Sequence, residues 1–176
     1  ILVAFQATRA KERRDAGGTL SAGDEEAVSR LDAALDKLEK LQEGDFYGIF
    51  EAMDGLPVVV RLIDPPLHEF LPNHAEMLVE VTRMEATGTP VDDPRLIEAR
   101  ALLRAVEALR EQNPMLGLRG CRLGLMIPDF VKMQTRAILN AAIARVRAGG
   151  DPHPEIMIPL VGHVNELAET RRILEA

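Results

Sequence analysis

Tryptophan is absent from these 176 residues, and the aromatic side chains come down to one tyrosine and five phenylalanines. So few flat rings argue against a stacking platform for nucleic-acid bases. Basic residues are also in deficit. The 21 Lys and Arg stand against 28 Asp and Glu, a formal net charge of -7, whereas a nucleic-acid partner calls for a basic face. The single cysteine, Cys121, excludes an intramolecular disulfide framework and suits a reducing compartment, read here as the cytoplasm. No apolar run approaches the roughly 20 residues a membrane span requires. The opening Ile1-Leu2-Val3-Ala4-Phe5 is short and lacks the basic flank of a signal peptide. With Arg171-Arg172-Ile173-Leu174-Glu175-Ala176 stopping without a capping residue, both ends read as the edges of an excised piece. The length is that of one ordinary domain, enough to bury a sizeable core.

Glycine and proline punctuate what is there. Helix is expected to about Arg14, then a flexible connector over Gly17-Gly18 and Ser21-Ala22-Gly23. A second helix runs from about Asp24 to Gln42, with Val28, Leu31, Leu35, Leu38 and Leu41 on one stripe and charged residues facing solvent. Phe46, Phe50 and Met53 belong to a short apolar helix that Gly55 stops. A buried strand follows at Val58-Val59-Val60. One helix and a loop fill Asn73 to Pro90. Asp93 then caps a helix with Pro94 at its first position. That helix carries Leu96, Leu103, Val106 and Leu109 inward and Arg95, Glu98, Arg104 and Glu107 outward, and Asn113-Pro114 ends it.

A second strand is expected within Gly120 to Met126. Pro128 opens a long helix with Phe130, Met133, Gln134, Ala137, Ile138, Ala141 and Ala142 on one face. Gly149-Gly150 terminates it, Asp151-Pro152-His153-Pro154 makes a turn, and a third strand spans Glu155 to Val161 before a last helix from about Asn165. Three alternations of strand and helix are the order of a parallel sheet with crossover helices, about three eighths of a (β/α)8 barrel. The chain divides into a helical lead-in, 1–43, and βα units, 44–176.

Two arginines carry the chemical interest. Arg61 ends the β-branched run, and Asp64-Pro65-Pro66 forbids the strand from continuing. One cation is thereby fixed at the carboxyl end of a buried strand, where α/β folds place ligands. Its guanidinium fork could hold phosphate or carboxylate oxygens bidentately, or it could pair with Asp64 and close the strand end. Arg119 lies in Gly117-Leu118-Arg119-Gly120, whose glycines let backbone and ligand approach closely. The alternative is a tight turn with an exposed arginine. Cys121, in an apolar stretch without a nearby histidine, reads as a buried inert thiol. His68, His74, His153 and His163 show no metal-ligand spacing. Nothing in spacing singles out Glu155 or Glu166, and no Gly-rich phosphate loop is present.

Three stretches occur in one order: Pro57-Val58-Val59-Val60-Arg61-Leu62-Ile63-Asp64-Pro65-Pro66-Leu67-His68-Glu69-Phe70-Leu71-Pro72, then Asn113-Pro114-Met115-Leu116-Gly117-Leu118-Arg119-Gly120-Cys121-Arg122-Leu123-Gly124, then Pro154-Glu155-Ile156-Met157-Ile158-Pro159-Leu160-Val161-Gly162. Together with the segment Gly44 to Leu56 leading into the first, they closely resemble the pyruvate, phosphate dikinase family of phosphoenolpyruvate (PEP)-utilising enzymes, from about Gly44 onward. The stretch before Gly44 is looser in its likeness.

The resemblance implies a partial TIM barrel, about strands two to four of the carboxy-terminal PEP/pyruvate-binding barrel. It implies a longer enzyme that interconverts ATP, phosphate and pyruvate with AMP, diphosphate and PEP. A phosphohistidine domain and an ATP-binding half of the same longer chain, and a homodimer, are implied as partners. Arg61 is implied to bind the phosphate of PEP, and Arg119 to contact the same substrate. No catalytic residue is expected within this stretch. The family's proton-donating cysteine belongs to a later motif, so Cys121 does not inherit that role, and its Mg2+ ligands lie on later strands. The family usually has histidine where this chain has Leu118, which questions a proton-relay role there. PEP synthase and enzyme I of the sugar phosphotransferase system are sister readings, against which the Asp64-to-Glu69 continuation speaks. A non-catalytic interaction module derived from the barrel is a third.

Overall fold

The computed structural model describes residues 2–65, 71–108 and 117–175. Two compact units result, one from residues 3–64 and 119–176, the other from residues 65–118.

The first unit opens with α1 (Leu2–Asp15), whose buried positions Ala4, Ala7 and Ala10 are small. Lys11 on this helix bridges Asp32 at 2.6 Å and Asp129 at 2.7 Å. Gly17 turns the chain at φ +82°. Ser21 and its neighbours do not form the flexible connector that their composition suggests. Ser21 caps α2 (Ala22–Ala52), its hydroxyl accepting from the Asp24 amide at 3.2 Å while Asp24 Oδ2 accepts from the Ser21 amide at 3.3 Å, the reciprocal pairing of a capping box. The two helices expected at 24–42 and 46–53 are one helix, and it runs without a break through the expected boundary at 43/44. Val28, Leu31 and Leu35 are buried as expected, but Leu38 and Leu41 are exposed. Each three-residue step falls about 60° short of a full helical turn, so the leucine stripe walks off the buried face, and Phe46 and Phe50 take over.

Strand β1 (Pro57–Arg61) pairs in parallel with β2 (His153–Met157), from Pro57 opposite His153 to Arg61 opposite Met157. The Leu62 amide continues the ladder to the Met157 carbonyl at 3.0 Å. Val60 and Leu62 are buried with Phe46, Phe50 and the face Ala137, Ile138 and Ala141 of α6 (Pro128–Arg147). Pro57, Val59 and Arg61, with Glu155 and Met157 of β2, are exposed on the other face. Strand β2 is shorter than the expected 155–161 and begins inside the expected turn. Helix α7 (Val164–Leu174) closes the unit, capped by His163 and Glu166.

The strand expected within Gly120 to Met126 is instead a helix, α5 (Cys121–Met126). A six-residue apolar run does not by itself distinguish the two. Gly124 leaves room for α6 there: a β-carbon would meet Val131 Cγ1 at 2.7 Å. Among the described residues the sheet therefore has two strands, not three, and they are direct neighbours.

The second unit holds α3 (His74–Ala86), capped by Asn73, and α4 (Pro94–Ala108). Val81, Leu96 and Leu103 form its core. Asp93 caps α4 through the Arg95 amide at 2.8 Å. Leu96, Leu103 and Val106 point inward and Arg95, Glu98, Arg104 and Glu107 outward, as expected; Leu109 and Asn113-Pro114 lie outside the described residues. Among the described residues no helix is long and apolar enough to cross a membrane.

Candidate anion-binding site

Val58 and Val60 of β1 pack toward α6 while Val59 faces away, and the chain then leaves the sheet at Ile63. Its amide is taken by Gln134 Oε1 of α6 at 2.7 Å, which satisfies a backbone donor that the ladder no longer reaches. Pro65 cannot donate and ends any further pairing. The exit presents Arg61 and Asp64 at the carboxyl end of the strand.

Both arginines singled out in the sequence meet at Asp64, 55 residues from Arg119 along the chain. Arg119 Nε donates to Oδ1 at 2.7 Å and Nη2 to Oδ2 at 3.0 Å, a bidentate fork, and Nη2 also donates to the Asp64 carbonyl at 3.1 Å. Arg61 Nη2 donates to the same Oδ2. The pair that would close the strand end thus exists, and Arg119 joins it. The Asp64 side chain is 3% exposed, Arg119 11% and Arg61 55%. Burial pushes the Asp64 carboxyl up, but hydrogen bonds from Arg119 and Arg61 outweigh it and hold it below the ordinary carboxylate range. One anion is thus shared by two cations.

The turn that delivers Arg119 is equally constrained. Gly120 sits at φ +56° and ψ -132°, where a side chain is strained. A β-carbon there would lie 2.9 Å from the Pro159 carbonyl oxygen and 3.3 Å from Asp64 Oδ1. The flanking glycine seen in the sequence therefore lets the Arg119 turn press against both the carboxylate and the segment after β2. Cys121 is 1% exposed; its amide bonds Pro159 O at 3.0 Å and its thiol donates to Leu160 O at 3.4 Å. Burial, with the Glu166 carboxylate nearby, pushes the thiol up, as an inert buried cysteine requires.

Sequence reasoning passed over a second pair beside this turn. Arg122 Nε donates to Glu166 Oε1 at 3.2 Å, and Glu166 Oε2 accepts from the Gly162 and His163 amides at 2.7 and 3.0 Å. Glu166 is held below its ordinary range by the Gly162 amide and by Arg122. The available signal was the repeat of arginine in Arg119-Gly120-Cys121-Arg122, with a helix-capping glutamate downstream. Asp64 had been seen only as a neutraliser of Arg61, since its link to Arg119 spans residues that no local pattern connects. His74 pairs with Glu107 and His153 with Asp151 on the surface; His68 lies outside the described residues. Among the described residues no three His, Cys, Asp or Glu side chains gather as metal ligands would.

Residues 18–176 match the family described as PEP-utilising enzyme, PEP-binding domain. Among curated proteins, the chain is 53% identical over 135 residues to pyruvate, phosphate dikinase 1, chloroplastic, of Oryza sativa subsp. japonica, covering 76% of this chain and 13% of that protein. It is 46% identical over 144 residues to pyruvate, phosphate dikinase 2 of the same plant, covering 82% and 15%. A third relative, pyruvate, phosphate dikinase 2 of Zea mays, is 53% identical over 135 residues, covering 76% and 14%. The chain thus spans only about one seventh of the length of these relatives.

Proposed function

Because the chain belongs to the PEP-utilising enzymes, as part of their PEP-binding domain, we propose that it supplies the phosphate-binding arginines of a pyruvate, phosphate dikinase. The observation that carries this reading is the convergence of Arg61 and Arg119 on one buried carboxylate at the carboxyl end of β1. Identity to dikinases over three quarters of the chain supports that enzyme over its sister enzymes and over a non-catalytic module.

In the proposed reaction, ATP, phosphate and pyruvate become AMP, diphosphate and PEP. The step at this site moves a phosphoryl group between a phosphohistidine of the longer chain and the enolate oxygen of pyruvate. Such a transfer has little covalent work for the protein, and its cost lies in placing and neutralising charge on the moving group. Arg119, nine-tenths buried and locked by its fork, fixes one position for phosphate oxygens. Arg61, half exposed and held to Asp64 through a single nitrogen, can extend toward the ligand. A divalent ion would supply further neutralisation. In this reading the ligands of that ion, the ATP site, the phosphohistidine domain and any homodimer contact are assigned to other parts of the longer chain.

The sheet supports a barrel reading in one respect. Helices α2 and α6 cover one face while the face bearing Val59, Arg61 and Met157 is bare, as for two adjacent staves of a (β/α)8 barrel whose inner side is completed by other strands. The compartment proposed is a reducing one, the cytoplasm, or the chloroplast that some relatives' names print.

The test uses the full-length dikinase that carries this sequence. Arg61→Lys and Arg119→Lys keep the charge and lose the planar fork. Each should cost on the order of 2–4 kcal/mol in the transition state of the pyruvate half-reaction, or roughly 30-fold to 1000-fold in rate. The ATP half-reaction is the internal control, and Arg104→Lys, on the exposed face of α4, should change neither. Equal pyruvate rates in all three variants would refute the reading.

A further inference from the structure

The geometry points to Asp64 as the positioning residue of this site, a carboxylate that aims both arginines at the ligand and does not itself touch it. This inference rests on the anion-binding reading of Arg61 and Arg119. Its own ground is the accounting at one side chain. Both oxygens of Asp64 are occupied by guanidinium nitrogens, three N–H groups in all, and the side chain is 3% exposed. A ligand anion has no reason to approach such a carboxylate and no room to reach it. The Asp64 carbonyl takes a further bond from Arg119 at 3.1 Å, so the guanidinium plane is fixed by main chain and side chain together.

Asp64 is in turn held from two sides. The Gln134 amide oxygen anchors the neighbouring Ile63 amide at 2.7 Å. On the other side Gly120 comes so close that a β-carbon would stand 3.3 Å from Oδ1. The carboxylate therefore sits in a slot one side chain wide, set by α6 and by the Arg119 turn itself. A fork held in this way takes its orientation from Asp64. The carboxylate also lowers the charge of the arginine pair from +2 to +1.

The pyruvate half-reaction of the full-length enzyme tests this, with Asp64→Asn, Asp64→Glu, Arg119→Lys and the double variant Asp64→Asn/Arg119→Lys. Misplacement of a binding group by about 1 Å can cost roughly 10²-fold. Both Asp64 variants should therefore slow kcat of the pyruvate half-reaction by about tenfold or more, leaving the ATP half-reaction near wild type. The pair should be coupled, so that the double variant is no slower than the slower single variant within about threefold. Asp64→Glu keeps the charge and moves the carboxylate by one methylene, so it still decides the matter if Asp64→Asn fails to fold. Wild-type rates for Asp64→Glu, or additive effects in the double variant, would overturn the inference while slow Arg61→Lys and Arg119→Lys enzymes left the anion-binding reading standing. A parallel fall in both half-reactions would mark Asp64 as a stability residue and overturn it equally. If the arginine variants are themselves fast, the underlying reading fails first.

Discussion

Asp64 also titrates, and the sign of its effect on stability follows from its partners. Burial alone would raise its carboxyl, yet Arg119 and Arg61 hold it below the ordinary range. A carboxylate whose folded pKa is depressed contributes its stability in full above the unfolded value, about 3.9, and loses it as pH falls through the folded value. Wild-type chain should therefore be more resistant to urea than Asp64→Asn near pH 7, and the gap should close between about pH 5 and pH 2. Removing one partner of a buried ion pair costs about 3–5 kcal/mol, which sets the expected size of the gap at neutral pH. Other depressed carboxylates, Glu166 and Asp24 among them, titrate alike in both proteins and cancel. A gap that stays constant down to pH 2 would mean that Asp64 is not charged when folded. At this scale the sequence was partly legible. Arg61 and Asp64 stand three residues apart, one turn's reach, and their pairing could be read. The Arg119 fork could not, because a contact across 55 residues leaves no local pattern.

Among the elements, helices with caps were the readable ones. Asp93-Pro94 and Pro128 announced their helices, since an N-cap oxygen and a proline at the first turn satisfy groups that only a helix start leaves open. The errors lie around two kinds of glycine. The helix expected to end near Gln42 runs on through Gly44, which lies mid-helix in α2 with nothing beyond its own helix backbone within 4 Å of where a β-carbon would stand, and so does Gly48. Gly124 looked like part of a strand, and it is the contact point of α5 with Val131 of α6. The two kinds should respond oppositely to one methyl group. Gly44→Ala and Gly48→Ala should each raise stability by up to about 1 kcal/mol, the helix-propensity difference. Gly124→Ala should lower it by about 1–3 kcal/mol through overpacking. Thermal or urea midpoints check both. A destabilised Gly44→Ala would show that the glycine is needed for a contact and not merely tolerated.

Over the whole molecule, the alternation of β1 and β2 leaves an uncovered row in which apolar Val59 and Met157 stand opposite Glu155 and Arg61. Val59 is 54% and Met157 48% exposed, beside Leu56 at 53%. Each strand pairs only with the other among the described residues, so two strand edges are also open to further pairing. The 176-residue chain alone should therefore self-associate at micromolar concentrations, and Val59→Lys, which puts a charge in the row, should reduce association in sedimentation velocity. A monodisperse wild-type monomer would mean that this face tolerates water. That a parallel sheet was present could be read from β-branched runs separated by helices. How many strands it holds could not, because periodicity does not separate a six-residue strand from a short helix.

The bidentate bond between Asp64 and Arg119 also acts as a clasp. The unit formed by residues 65–118 leaves the rest of the chain directly after one of these residues and returns directly before the other, and three hydrogen bonds hold the two ends of that excursion together. The stretches bearing Arg61 and Arg119 are thereby joined through one carboxylate, although 55 residues separate Asp64 from Arg119.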